Sequence, residues 1–158
     1  MPLHPISVVL PDVRSAYNVG SIFRTADAAG LAHVYLTGYT PTPAHRGVKK
    51  TALGAETAVP WSQHDDALGL VERLRAEGQT VVALERTPRA VGLEQVGPEH
   101  FPMVVVVGNE VAGVPPALLG VADLVLALPV YGVKTSLNVA VAFGVAAYGL
   151  VGRYRADS

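Results

Sequence analysis

The chain counts 158 residues, 50% of them apolar and 16% charged, which fits one compact domain and excludes a disordered or collagen-like polymer. A formal net charge of −1 argues against a strongly basic nucleic-acid binder. The lack of cysteine excludes a disulfide scaffold, a thiolate nucleophile and any Cys-ligated zinc or iron–sulfur centre.

Apolar runs bounded by Gly, Pro or Asp alternate with longer amphipathic stretches. This is the pattern of an α/β fold, a mostly parallel sheet with helices on both faces, here expected to fill residues 1–158 as a single domain. The first predicted strand is Ile6–Leu10 and the first helix Asn18–Ala29, closed by Gly30. In that helix Val19, Ile22, Phe23 and Ala26 recur at helical spacing and face the core, which leaves Gly20, Ser21, Arg24 and Asp27 on the opposite stripe. Two readings of the polar residues stand side by side. Either Asn18 caps the helix and Arg24 pairs with Asp27 on the surface, or the guanidinium is displayed for a ligand. A strand at His33–Thr37 and a helix at Ala44–Leu53 follow. No acidic residue occurs from Ala28 to Ala55, so Arg46, Lys49 and Lys50 form either a solvated helix face or a phosphate-contacting patch.

Next come a short strand near Thr57–Trp61, a helix at His64–Glu77 stopped by Gly78, and strands at Thr80–Glu85 and Met103–Val107. The turn after the last of these, Gly108–Gly113, has the GxxxxG spacing of a phosphate loop, but Val114 and Pro115 stand where Lys and Ser/Thr are needed. No GxGxxG follows a strand, and neither HExxH nor GxSxG occurs. The usual NTPase, nicotinamide, zinc-hydrolase and serine-hydrolase readings are thereby removed. Ligands of open α/β sheets bind beyond the carboxyl ends of the strands. Gly108, Asn109 and Glu110 therefore form either an ordinary turn or a site of backbone N–H groups with one carboxylate.

After a helical turn at Pro115–Leu119 and a strand at Leu124–Leu128, the segment Leu128–Asn138 leads into a last helix, Ser136–Val151. Thr135 or Ser136 suits its N-cap. Asn138, an amide in the first turn of an otherwise apolar helix, then needs a partner or a ligand, since leaving it buried and unpaired costs ~1–3 kcal/mol. Val139–Ala147 leaves no polar face, so part of this helix is expected to pack against a second copy, with Ala140 and Gly144 allowing close approach. The near-apolar stretch Val139–Gly152 is shorter than the ~18–20 residues of a bilayer span. Met1–Pro5 has no basic stretch leading into an apolar core. A soluble, cytoplasmic protein is expected. Formal charge runs +3 over residues 1–55, −6 over 56–123 and +2 over 124–158, so polyanions are expected at the two ends of the chain.

Three of these segments, in this order, resemble the three sequence motifs of the SpoU (TrmH-like) branch of the SPOUT RNA methyltransferases. They are NVGSIFRTADAAG from Asn18, VVVVGNEVAGVP from Val104 and LPVYGVKTSLNVAVAFG from Leu128. The separations also match, six residues from Asn18 to Arg24 and 26 from Glu110 to Ser136. KKTALGAE, Lys49–Glu56, resembles a weaker family segment, and the likeness runs from Ile6 to Leu150.

The resemblance implies an S-adenosylmethionine-dependent methyltransferase that modifies a ribose 2′-hydroxyl of tRNA or rRNA, with no metal. It implies a C-terminal deep trefoil knot and a homodimer through the first and last helices. By position the cofactor loops correspond to Leu84 and Glu85; Gly108, Asn109 and Gly113; Leu128, Pro129 and Gly132; and Ser136, Leu137 and Asn138. Arg24 corresponds to the catalytic residue, with Asn18 holding it or the ribose, Glu110 orienting within the site, and Ser136 with Asn138 joining cofactor loop to substrate pocket. The resemblance includes no separate RNA-binding domain, so RNA contacts are expected from Arg14, Arg46, Lys49 and Lys50, with Arg153 and Arg155. The alternatives are a catalytically silent RNA- or cofactor-binding homologue and a SPOUT enzyme methylating a base nitrogen.

Overall fold

The computed structural model describes residues 3–157. Six strands, β1 (His4–Pro11), β2 (Leu31–Thr37), β3 (Trp61–His64), β4 (Thr80–Leu84), β5 (Met103–Val106) and β6 (Leu124–Leu126), form one parallel sheet in the order β3-β2-β1-β5-β4-β6. The helices are α1 (Ala16–Ala29), α2 (Arg46–Ala52), α3 (Ala55–Ala58), α4 (Ala67–Ala76), α5 (Pro116–Val121) and α6 (Val139–Ala156). Most of the strands are apolar at consecutive positions because both faces are covered; the edge strand β3, Trp61-Ser62-Gln63-His64, is half-exposed and largely polar. Along β1, Ile6, Val8 and Leu10 join the core beneath α1, α2 and α6, whereas Val9 joins the core beneath α4 and α5.

Where the elements differ from expectation, the local chemistry explains it. Ser15, not Asn18, caps α1, its hydroxyl accepting from the Asn18 N–H at 3.2 Å. Asn138, not Thr135 or Ser136, caps α6, its Oδ1 accepting from the N–H groups of Ala140 at 2.9 Å and Val141 at 3.3 Å. Asn, Ser and Thr are all good caps, so composition did not choose among them. The segment expected as a strand near residues 57–61 holds α3, and β3 starts only at Trp61, where pairing with Val34 of β2 begins. Gly20 is not on an outward stripe but buried where α2 crosses α1. Sequence periodicity identified the face of α1 on the sheet; it carried no sign of a second helix on another face.

The connection from β4 to β5 pairs Val91 with Leu126 alongside β6, then folds against α6. There Leu93 lies against Gly149, and the Arg153 guanidinium donates to the Val96 carbonyl at 2.9 Å. α6 is thus held between α1 and this connection. To reach it, residues 127–138 leave the edge strand β6 and cross toward α1. Within one chain α6 is not covered all round: Val141, Val145 and Tyr148 form an apolar stripe, each about half exposed. Among the described residues no helix is long and apolar enough to cross a membrane.

Candidate active site

The loops leaving β4, β5 and β6, together with the start of α6, enclose a cleft of about 880 Å³. It lies beyond the carboxyl ends of the strands, where open α/β sheets place their ligands. Leu84, Glu85, Gly108, Asn109, Glu110, Gly113, Leu128, Ser136, Leu137 and Asn138 all line it. Pro129 and Gly132 sit in the same β6–α6 loop but do not line the cleft, and Arg86, Val130, Thr135 and Val139 line it without having been expected as site residues.

The turn after β5 is closed on itself. Asn109 and Gly113 exchange two backbone bonds of 3.0 Å, and Asn109 Oδ1 accepts from the N–H groups of Val111 at 2.8 Å and Ala112 at 2.9 Å. The N–H groups of Asn109, Val111, Ala112 and Gly113 are therefore used inside the turn, and the side chain it presents is the Glu110 carboxylate. Gly108 is required by this closure, since a Cβ there would lie 2.7 Å from the Gly113 carbonyl carbon. Glu85 ties the β4 loop to the β5 loop by accepting from Val114 N–H at 2.9 Å and Arg86 N–H at 3.0 Å. Arg86 in turn donates to the Thr135 carbonyl, tying in the third loop.

Glu110 reaches out of its turn to the start of α1. Its Oε1 accepts from Arg14 N–H at 2.9 Å, and its Oε2 from Ser15 N–H at 2.8 Å and Asn18 Nδ2 at 3.1 Å. Asn18 Oδ1 then accepts from Asn138 Nδ2 at 3.3 Å. One chain of hydrogen bonds thus joins all three polar segments, with a carboxylate at the positive end of a helix dipole. Burial alone would raise the Glu110 carboxyl, but the N–H groups of Arg14, Ser15 and Glu110 itself and the Asn18 amide outweigh it and hold the group below its ordinary range. The Asn18 amide is committed to Glu110 and Asn138, not to Arg24.

Arg24 stands apart. It lies six residues along α1 from Asn18, ~9 Å by helix rise, is exposed, and does not line the cleft of its own chain. Among the described residues no ion pair joins it to Asp27 and it has no hydrogen-bond partner. Of the basic residues, Arg14, Arg46, Lys49 and Lys50 are exposed. Lys50 Nζ lies 5.9 Å from the Tyr17 ring centroid, which brings α2 beside the first turn of α1 and so beside Arg14. Arg153, by contrast, is tied to the Val96 and Glu94 carbonyls and lies ~22 Å along α6 from Asn138, so it stands away from the cleft.

Residues 5–148 match the SpoU rRNA Methylase family. The chain is 37% identical over 145 residues to 23S rRNA (guanosine(2553)-2′-O)-methyltransferase RlmP of Bacillus subtilis, covering 92% of this chain and 57% of that protein. It is 28% identical over 153 residues to tRNA (guanosine(18)-2′-O)-methyltransferase of Borreliella burgdorferi, covering 97% of this chain and 69% of that protein. The chain thus spans between 57% and 69% of the length of these two relatives. Among solved structures it resembles an AdoMet-bound rRNA methyltransferase from Sinorhizobium meliloti, with a TM-score of 0.85 and 31% identity over 95% of this chain and 59% of that one. It also resembles the A. aeolicus TrmH/SpoU tRNA modifying enzyme, with a TM-score of 0.87 and 26% identity over 98% and 78%. The meeting of three polar turns beyond one end of a parallel sheet and the match over nearly the whole chain agree: the chain belongs to the SpoU rRNA methylase family.

Proposed function

We propose that the chain is an S-adenosylmethionine-dependent methyltransferase acting on a ribose 2′-hydroxyl of tRNA or rRNA in the cytoplasm. The observation that carries this reading is the hydrogen-bonded chain from Glu110 through Asn18 to Asn138 at the edge of the cleft, which makes one site of three separate segments. The cleft fits the cofactor. Leu84, Leu128, Val130, Val139 and Ala142 supply apolar walls for a heterocycle, while Glu85, Arg86 and Glu110 supply both signs of charge for a zwitterionic tail. Bound there, S-adenosylmethionine supplies a sulfonium methyl group electrophilic enough to react without a metal.

The chain's own residues then hold the acceptor and stabilise charge. The Arg24 guanidinium serves as a clamp on an RNA phosphate and on the negative charge that grows on the ribose oxygen as its proton passes to that phosphate or to water. Because Arg24 lies outside its own cleft, the site is completed by a second copy. The outward stripe of α1 (Tyr17, Ser21, Arg24, Ala28) and the apolar stripe of α6 (Val141, Val145, Tyr148) are the surfaces that support such a dimer, in which Arg24 of the partner subunit enters the cleft. Arg14, Arg46, Lys49 and Lys50 contact phosphates and position the RNA without reading its sequence. The crossing of residues 127–138 beside a connection that clasps α6 supports the family's threaded C-terminal knot.

The test is transfer of labelled methyl groups to unmodified total tRNA and rRNA, followed by nucleoside analysis. A 2′-O-methyl nucleoside that disappears in Arg24→Ala is the expected result. A methylated base, or RNA binding without transfer, would overturn it in favour of the sister chemistry or a silent homologue. S-adenosylhomocysteine should raise the melting temperature, as a ligand of the native state must.

A further inference from the structure

We infer that Tyr39 is the platform on which an unpaired RNA base stacks while the neighbouring ribose occupies the cleft; this rests on the proposed methyl transfer to RNA. Tyr39 follows β2 and is 61% exposed. A single exposed aromatic is unremarkable in itself; what distinguishes this one is how firmly it is held. Its backbone N–H donates to Asp12 Oδ1 at 2.9 Å, and its hydroxyl accepts from Asn109 Nδ2 at 3.2 Å. The same Asn109 amide donates to the Asp12 carbonyl at 2.6 Å. Asp12 has φ 52°, in the left-handed region that side chains rarely adopt, and it faces Gly38 at φ 61°, where a Cβ would lie 1.9 Å from Asp12 Oδ1. Two left-handed residues are thus interlocked to hold one ring against solvent, the kind of backbone strain that collects at functional sites.

The position and the surrounding charge indicate what the ring receives. Asn109 lines the cleft, next to Glu110, so Tyr39 stands at its edge. Arg14 follows Asp12 by two residues and is exposed, and the Asp12 carboxylate is engaged by the Tyr39 N–H. A flat ring fixed beside a cation, at the mouth of a site that takes a ribose, matches the way single-stranded RNA is held, with bases on aromatic faces and phosphates on cations. Fixing the ring in advance lowers the ordering cost of binding.

The experiment compares Tyr39→Ala and Tyr39→Phe with the wild type by steady-state methyl transfer to unmodified total tRNA, with S-adenosylhomocysteine affinity measured by calorimetry. Tyr39→Ala should raise KM for the RNA about tenfold, within the range of base–aromatic stacking, with kcat and S-adenosylhomocysteine affinity nearly unchanged. Tyr39→Phe keeps the stacking face and the backbone bond to Asp12 and loses only the hydroxyl's bond to Asn109, so its KM should lie close to wild type and well below that of Tyr39→Ala. Unchanged KM in Tyr39→Ala would overturn the inference. So would a Tyr39→Phe variant as weak as Tyr39→Ala, since the hydroxyl's brace on Asn109 would then be what matters. If the wild type transfers no methyl, the functional reading fails separately. Affinity of the three proteins for a fluorescein-labelled single-stranded oligouridylate, read by anisotropy, then decides on the platform by the same Ala-against-Phe comparison.

Discussion

Replacing Gly20 by alanine tests whether α1 and α2 are held at glycine distance. A Cβ at this position would lie 1.9 Å from Thr51 Oγ1, 2.3 Å from the Val48 carbonyl oxygen and 2.9 Å from the Ala52 nitrogen. The Thr51 hydroxyl can swing away, though it gives up its 2.9 Å bond to the Tyr17 carbonyl. Val48 O and Ala52 N are backbone of α2 and cannot swing. Restoring a normal contact of ~3.5 Å moves α2 back by about 1 Å. Overpacking of this kind costs ~1–3 kcal/mol and the lost Thr51 bond ~1 kcal/mol, while the better helix propensity of alanine returns ~1 kcal/mol. The net is a destabilisation of ~2 kcal/mol, or about 4–8 °C in Tm for a chain of this size. Urea and thermal unfolding followed by circular dichroism would measure it, with Ser21→Ala, one residue on and only half-buried, as a control expected within ~0.5 kcal/mol of wild type. An unchanged or raised midpoint in Gly20→Ala would refute the close approach. Because α2 carries Lys49 and Lys50, the same displacement should weaken RNA binding more than cofactor binding.

Three further outcomes follow from the polar chain at the cleft. Glu110→Gln leaves one carbonyl oxygen for three donors, the N–H groups of Arg14 and Ser15 and the Asn18 amide, so both stability and S-adenosylhomocysteine affinity should fall. Since Glu110 is held below the ordinary carboxylate range, its contribution is present above the unfolded value of ~4.3 and lost as pH falls through the lowered folded value. The wild-type advantage over Glu110→Gln in urea unfolding should therefore be full at pH 7 and shrink well below pH ~4; an advantage that grows in acid would contradict the assignment. Asn138→Asp keeps an oxygen to cap α6 but has no donor for Asn18 Oδ1. It should melt near wild type while methyl transfer drops, whereas Asn138→Ala should lose both, with ~1 kcal/mol for the cap. Arg86→Ala removes the tie to the Thr135 carbonyl, and stopped-flow displacement should show S-adenosylhomocysteine leaving faster with little change in Tm.

The central strands were legible because they are buried on both faces and so read as apolar runs, Met103–Val107 most plainly, whereas the edge strand β3, Trp61-Ser62-Gln63-His64, is half-exposed and largely polar and was expected some residues too early. The helix faces on the sheet were legible for the corresponding reason, through Val19, Ile22, Phe23 and Ala26. What periodicity cannot carry is contact between helices. Gly20 satisfied the spacing of an outward residue and yet lies beneath α2; its lack of a side chain was the only signal, and it takes a neighbour to give that signal meaning. The choice of caps had the same character, with Ser15 against Asn18 and Asn138 against Thr135 or Ser136 settled by where the preceding loop arrives.

The site divides along a similar line. The motifs marked which loops meet, and ten of the twelve predicted cofactor-loop and Glu110 positions line the cleft, the exceptions being Pro129 and Gly132 of the β6–α6 loop. The bonds that join the loops were not legible. Glu110 is bound chiefly by the backbone N–H groups of Arg14 and Ser15, which carry no side-chain signature, and Arg86 holds the third loop through a carbonyl. Each such bond has a charged partner and is worth ~1.5–3 kcal/mol at most, less where it is exposed, no more than one fully buried large side chain at ~1.5–3 kcal/mol, of which the core holds many. The scaffold is therefore fixed by the core and the cleft by a few polar ties. A cofactor that bridges the same loops competes with these ties on equal terms, so binding can draw the 129–138 loop closer without disturbing the sheet that positions it.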